Sequence, residues 1–348
     1  MNLGRRPYIG RTMKTTAKRF SALLWNPRLQ RKWLTLGRSV LRAAAKPARP
    51  QQRRSRASPP ADMTLQHAGA RRYYLFTPPQ LAQGERHPLL VMLHGCQQSA
   101  REFSASTRMN QLAAQEGFIV VYPEQDRFAN GQGCWNWYGS SSGQASREVA
   151  SILTAIDHAC VRHSIDANRI VIAGFSAGAS MAARVAIHQP ERFAAVVMHS
   201  GVDPALAHST ATALAAMRGS PRRMKSPVTH KYLNLPPLLV LQGGVDRIVG
   251  KANGMRAASA WAAHRDAAAG APRLSRRGQR HPVTSMDWVI KNRIAASLSE
   301  VSGLGHAWSG GAASQEFSDP RGPDASRMVW AFAKRQFAIQ PVTSIHSR

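Results

Sequence analysis

At 348 residues the chain can form one large domain or two modest ones around a real core, so it needs no staples to fold. Its 47 Lys/Arg against 18 Asp/Glu give a formal charge of +29, and residues 1–60 hold 16 of those basic residues with no acid, the first being Asp62. Three cysteines exclude a disulfide scaffold and a zinc constellation, and no apolar run is long enough to span a bilayer.

Residues 1–62 read as a basic, largely disordered tail. Within it Leu29, Trp33, Leu34, Leu36, Val40 and Leu41 alternate with Arg28, Arg31, Lys32, Arg38 and Arg42, the pattern of a basic amphipathic helix over about 28–45. A Pro/Arg-rich linker without means of forming a core follows. The tail is either a solvated extension or a docking segment for a granule or another anionic surface; nucleic acid is the least favoured partner. The short apolar stretch 20–25 runs into Asn26-Pro27 instead of a small-residue cleavage site, so the expected location is cytoplasmic, with granule association or secretion as alternatives.

A folded domain is expected over residues 63–340. Residues 72–78 read as an early strand and 88–95 as a second, apolar on both faces. A helix is expected over 106–115, then a strand over 118–123. A second helix is expected over 146–163, where Val149, Ile152, Leu153, Ile156 and Ala159 share one face. A β-branched strand at 168–173 leads into a helix over 179–186 that Pro190 closes. Strands at 193–201 and 235–243, a helix at 253–264, a strand near 295–301 and a closing helix at 326–337 complete the pattern. Alternating strands and helices predict a mostly parallel central sheet with helices on both faces. The stretches 202–230 and 265–285 are basic and weakly patterned, and are read as insertions.

Between the strand at 168–173 and the following helix stands Gly174-Phe175-Ser176-Ala177-Gly178, the G-x-S-x-G of a nucleophile elbow. A serine hydroxyl is a weak nucleophile and needs a base, and the base needs a carboxylate to orient it. In an α/β sheet these groups sit beyond the carboxyl ends of later strands. Asp246, after 235–243 and two glycines, fits the acid, with Asp203 as its rival. His306, in Gly303-Leu304-Gly305-His306-Ala307-Trp308, follows the last expected strand and lies beyond the acid in chain order, whereas His188, His199 and His208 of the thirteen histidines lie close after the serine. The oxyanion needs two backbone N–H donors. Ala177 supplies one, and the loop after 88–95 the other, from Cys96 or its neighbour Gln97. Trp308 either lines an acyl pocket or packs; Trp135 and Trp137 are further pocket candidates.

Five motifs occur in order: Leu93-His94-Gly95-Cys96-Gln97-Gln98, Cys134-Trp135-Asn136-Trp137, the elbow, Leu241-Gln242-Gly243-Gly244-Val245-Asp246, and Gly303 to Trp308. Over about residues 65–337 they resemble the poly(3-hydroxybutyrate) depolymerase family of esterases, which includes feruloyl and acetyl-xylan esterases. That resemblance implies an α/β-hydrolase fold, a Ser176–Asp246–His306 triad, and no metal or other cofactor. It also implies a candidate Cys96–Cys134 disulfide, as in secreted relatives. The expected substrate is a hydroxyalkanoate polyester or its oligomers. A feruloyl- or acetyl-xylan-type carboxylesterase is the alternative within the class, and a granule- or nucleic-acid-binding protein the alternative outside it.

Overall fold

Along each central strand, alternate residues enter one of two separate cores, as a period of two requires. In β3 (His87–Leu93), Leu89, Val91 and Leu93 join one core and Leu90 and Met92 the other. The same division runs through β4 (Ile119–Pro123), β5 (Ile165–Phe175), β6 (Ala195–His199) and β7 (Leu238–Gly243). These strands are therefore covered on both faces, and each fully buried aliphatic side chain contributes about 1.5–3 kcal/mol. The computed structural model that shows this describes residues 63–82, 84–219 and 234–339. The basic tail with its amphipathic segment, and residues 220–233, lie outside the described residues.

Among the described residues the sheet has 11 strands. From β4 the order is β4-β3-β5-β6-β7-β11, all parallel, where β11 is Arg293–Val301. Antiparallel strands flank it on both sides. β1 (Met63–Ala68) and β2 (Arg71–Phe76) form a hairpin beside β4; β10 (Val283–Ile290) pairs with β11 and carries the short β8 (Ala268–Ala269) and β9 (Arg273–Ser275). A separate pair, β12 (Trp308–Ser309) and β13 (Ser318–Asp319), follows.

Helices cover both faces. α3 (Gln144–Arg162), α4 (Ala177–His188) and α6 (Ala252–Ala263) pack on one core, and α3 buries the expected Val149, Ile152, Leu153, Ile156 and Ala159. α1 (Ala100–Thr107), α2 (Met109–Glu116) and α7 (Ala325–Phe337) pack on the other, through Phe103, Met109, Leu112, Val329 and Phe332. No described helix is long and apolar enough to cross a membrane.

Three expectations need correction. The helix expected over 106–115 is two helices, broken where Arg108 turns left-handed at φ 54° and gives its N–H to the Ser104 carbonyl. The first of them opens with a Ser99/Glu102 capping box, an S-x-x-E signal present in the sequence. The stretch 265–285 is not a plain insertion: it holds β8, β9 and the start of β10. β8 and β9 are exposed, and at the start of β10 only Val283 is buried, so the stretch lacks a clean apolar alternation. The β10–β11 hairpin turns through Lys291 and Asn292, both at positive φ, as a two-residue turn demands. The described part of 202–230 likewise contains α5 (Thr210–Met217), capped by Ser209.

Candidate active site

Ser176 directly follows β5 and makes the turn into α4 with φ 55° and ψ −120°, a backbone conformation that costs a non-glycine residue about 1–3 kcal/mol. Its flanking glycines are forced by contact. A Cβ on Gly174 would fall 2.2 Å from the Gly178 carbonyl oxygen, and one on Gly178 would fall 2.2 Å from that of Leu93. The turn thus lies directly against the end of β3. The Ser176 N–H donates to the His199 carbonyl at 2.9 Å, which ties the turn to β6 as well.

Asp246 and His306 come from loops after β7 and β11, neighbouring strands in the sheet. The Ser176 hydroxyl lies 3.0 Å from His306 Nε2, and His306 Nδ1 lies 2.8 Å from Asp246 Oδ2. Asp246 Oδ1 accepts the N–H groups of Ile248 and Val249, both at 2.9 Å, so both carboxylate oxygens are engaged and the side chain is fully buried. That leaves Nδ1–H as the donor to Asp246 and the bare Nε2 facing the serine. The rival Asp203 instead caps a short turn, accepting the Ala205 N–H at 2.9 Å.

Ala177 is the first residue of α4, so its N–H stands at the positive end of a helix dipole. In the loop after β3, Gln97 donates its N–H to the Gln132 carbonyl at 2.8 Å, which removes it as an alternative to Cys96. Cys96 is disulfide-bonded to Cys134, as the resemblance implied. The loop carrying Cys134 is anchored in turn by Asn136. Asn136 donates its N–H to Glu148 Oε2 at 2.8 Å and its side-chain amide to Glu148 Oε1 at 2.5 Å. Gln125 Nε2 donates to the same carboxylate at 2.7 Å. The Cys-Trp-Asn-Trp motif is therefore a clamp on the loop after β3.

The pocket assignments of Trp135 and Trp308 are corrected to packing. At 0% and 1% exposure neither has a face open to a ligand. Trp135 lies against His94, and Trp308 is wedged among Phe103, Phe175 and His199. Trp137 is buried too, edge-on against Tyr138.

Two buried histidines beside the site escaped sequence reasoning. His199 accepts the Ser309 N–H on Nε2 at 3.2 Å, three residues beyond His306, and stacks on Trp308. Desolvation, aided by the nearby His306, pushes its pKa down to about 3. It holds the His306 loop with its ring and the Ser176 turn with its carbonyl. His94, directly after β3, is pushed down to about 4, chiefly by burial. Nothing in the spacing of either residue sets it apart from a packing histidine. Among the described residues no group of three or more His, Cys, Asp or Glu side chains is arranged to hold a metal ion.

Comparison with known proteins places this geometry in context. Residues of the chain are 36% identical over 143 positions to poly(3-hydroxyalkanoate) depolymerase C of Paucimonas lemoignei, covering 40% of this chain and 33% of that protein. Feruloyl esterase B of Thermothelomyces thermophilus is 30% identical over 132 positions, 37% of this chain and 43% of that protein. The chain thus spans a third to under half of the length of these curated relatives. An acetyl xylan esterase structure from Aspergillus awamori superposes with a TM-score of 0.60 over 70% of this chain and 94% of that one, at 19% identity, a likeness of fold. The family model described as Esterase PHB depolymerase matches residues 71–277, stopping short of His306, which the fold brings to the other two. Because that match takes in more than half of the chain, with Ser176 and Asp246 inside it, the chain belongs to the esterase PHB depolymerase family.

Proposed function

We propose that the protein is a serine carboxylesterase that works through an acyl-enzyme on Ser176. The observation that carries this reading is the continuous chain from Ser176 Oγ through His306 to Asp246. His306 Nε2 takes the hydroxyl proton as Oγ bonds to the ester carbonyl carbon. The carbonyl oxygen becomes an oxyanion held by the Ala177 and Cys96 N–H groups. The carbon–oxygen bond to the alcohol then breaks, and the alcohol leaves with the proton from His306. Water gives a proton to His306, attacks the acyl carbon and releases the acid, and the proton returns to Ser176. Asp246 holds the ring in its productive tautomer and supports the imidazolium.

The substrate we favour is a poly(3-hydroxybutyrate)-type polyester or its oligomers, supported by family membership and by the similarity to a poly(3-hydroxyalkanoate) depolymerase. The similarity to a feruloyl esterase supports aryl or acetyl esters of polysaccharide as the second reading. Binding of a polymer granule or another anionic surface through residues 1–60 rests on their charge alone. A disulfide persists best in an oxidising compartment, which supports secretion over a cytoplasmic location.

The test is hydrolysis of short p-nitrophenyl esters, methyl ferulate and amorphous polyhydroxybutyrate, with Ser176→Ala as control. Cleavage of the polymer and the short esters by wild type alone is expected. Release of ferulate without polymer loss would move the assignment to the second reading, and equal rates for the variant would overturn the serine mechanism.

A further inference from the structure

Ser275, Val283, Val301 and Gly243 stand in one row across β9, β10, β11 and β7, each paired with the next. The connection from β9 to β10, residues 276–282, therefore leaves the sheet on the same edge as the loops that carry Asp246 and His306. It is fastened there. Ser302 donates its N–H to the Pro282 carbonyl at 3.0 Å, and His281 donates its own to the Arg321 carbonyl at 3.0 Å. The His281 ring lies so close to Gly303 that a Cβ on that glycine would fall 2.5 Å from Nδ1. From Gly303 to His306 is at most about 11 Å of chain.

This connection is cationic. Arg273, Arg276, Arg277 and Arg280 fall between Asp266 and Asp287 with no acid among them, and residues 271–280 are all exposed. Arg273 pairs with Asp287, and Arg280 donates to the Gly322 carbonyl. Asp319, the carboxylate that His281 meets, is taken by Arg321 as well. Arg276 and Arg277 have no carboxylate partner among the described residues. Arginines on an exposed strand commonly guard a sheet edge against pairing with another chain. These two lie beyond Ser275, the last paired residue of β9, and guard no edge.

We propose that Arg276 and Arg277 form an anion-binding rim of the active site, whose ligand is the terminal carboxylate of an acid-ended hydroxyalkanoate oligomer. This deepens the serine esterase reading above and rests on it. Polyester hydrolysis itself supplies the ligand: each cut adds water across one ester and leaves one hydroxyl end and one carboxylate end. A guanidinium matches a carboxylate in charge and in donor geometry. Anchored beside the His306 loop, the pair holds the acid end of a cut chain while an inner ester reaches Ser176. A neutral chain gains nothing from the rim, so preference moves to chains already cut.

The 3-hydroxybutyrate tetramer and its methyl ester differ by one charge and little else. The ratio of their kcat/KM values, from initial rates of internal cleavage, is the readout. Wild type should favour the acid by about tenfold at low salt, mainly through KM, and by about twofold or less in about 0.5 M NaCl. Arg276→Gln with Arg277→Gln should bring the low-salt ratio to about twofold or less. Lys291→Gln with Arg293→Gln is the control. It removes the same charge from likewise exposed residues at the opposite end of β10, about 25 Å away, and should keep the tenfold ratio. Equal wild-type rates for acid and methyl ester overturn the inference, as does a ratio that the arginine pair leaves untouched or that both pairs lower alike. Hydrolysis of p-nitrophenyl butyrate with neither tetramer cleaved overturns it too. Equal rates with inhibition by double-stranded DNA at low salt would assign the turn to nucleic acid instead. Should the arginine double variant fail to fold, the salt dependence of the wild-type ratio decides alone. A wild type without Ser176-dependent hydrolysis of any ester sinks the esterase reading itself; an active wild type blind to the charge sinks only this inference.

Discussion

Gly243 and Gly305 meet backbone to backbone: a Cβ on Gly243 would lie 2.5 Å from the Gly305 carbonyl oxygen. The contact joins the strand end that carries Asp246 to the loop that carries His306. Two ladder-like bonds continue it, Gly244 N–H to the Val301 carbonyl at 2.8 Å and Val245 N–H to the Leu304 carbonyl at 3.1 Å. Asp246 and His306 are thus set by main chain, and the 2.8 Å bond between them follows from that seam.

Gly243→Ala should therefore damage stability and chemistry together. No flexible side-chain end lies in the way, so backbone must move, at about 1–3 kcal/mol. Thermal unfolding should show a melting point several degrees lower, and p-nitrophenyl ester kinetics should show a fall in kcat of about tenfold or more as His306 shifts from Asp246. A variant with wild-type melting and kcat would mean the seam is looser than its contacts indicate.

The strain at Ser176 makes a separate prediction. Its φ of 55° and ψ of −120° suit glycine and penalise any residue with a Cβ. Ser176→Ala and Ser176→Gly should both be inactive, but the glycine variant should melt higher than the alanine variant. Relief of about 1–3 kcal/mol of strain exceeds the ~0.5–1 kcal/mol entropic cost of glycine. Differential scanning calorimetry of the two proteins side by side decides it, and an alanine variant at least as stable would show the turn to be unstrained.

The strands around the site were readable because β3 to β7 are apolar on both faces, and the elbow was readable because Gly174 and Gly178 are demanded by contacts under 3 Å. Asp246 and His306 followed from chain order, since loops after later strands must converge on the carboxyl edge of the sheet. The break at Arg108 was hidden because a left-handed arginine has no sequence signature and its guanidinium is held by the distant Gly310 carbonyl. β8 and β9 were hidden because their residues are exposed, leaving no apolar period to detect. The hydrogen-bond partners of His94 and His199 lie 31 and 110 residues away, which no local pattern encodes.

Those two histidines govern acid stability. Below pH 6.5 the unfolded chain protonates both, while the native fold keeps them neutral down to about 4 for His94 and about 3 for His199. The unfolded state then binds more protons, so stability is complete above pH 6.5 and is lost progressively as pH falls toward 3. Glu124 and Asp203, raised by burial, work in the opposite direction, so the comparison with a variant is the readout. The melting temperature of His199→Gln should be lower at pH 7 yet fall less steeply between pH 6.5 and 4 than that of wild type. Parallel slopes would show that His199 already takes up its proton in the native state.

The disulfide joins two loops that share one task. Cys96 carries a proposed oxyanion donor and Cys134 begins the segment clamped by Glu148, and the bond closes 38 residues of chain. Closing a loop of that length stabilises by about 3–4 kcal/mol in the chain-entropy view. Reduction, or the double change Cys96→Ala with Cys134→Ala, should lower the melting temperature by about 6–16 °C for a domain of this size, on a scale of about 2–4 °C per kcal/mol. It should also lower kcat more than it raises KM, because the freed loop carries a donor for the transition state and not a ground-state contact. Dithiothreitol titration followed by activity and melting curves checks both effects, with the double variant as a control that the reductant should not affect further. Loss of stability with kcat unchanged would separate the staple from the oxyanion hole and leave the clamp a purely structural part.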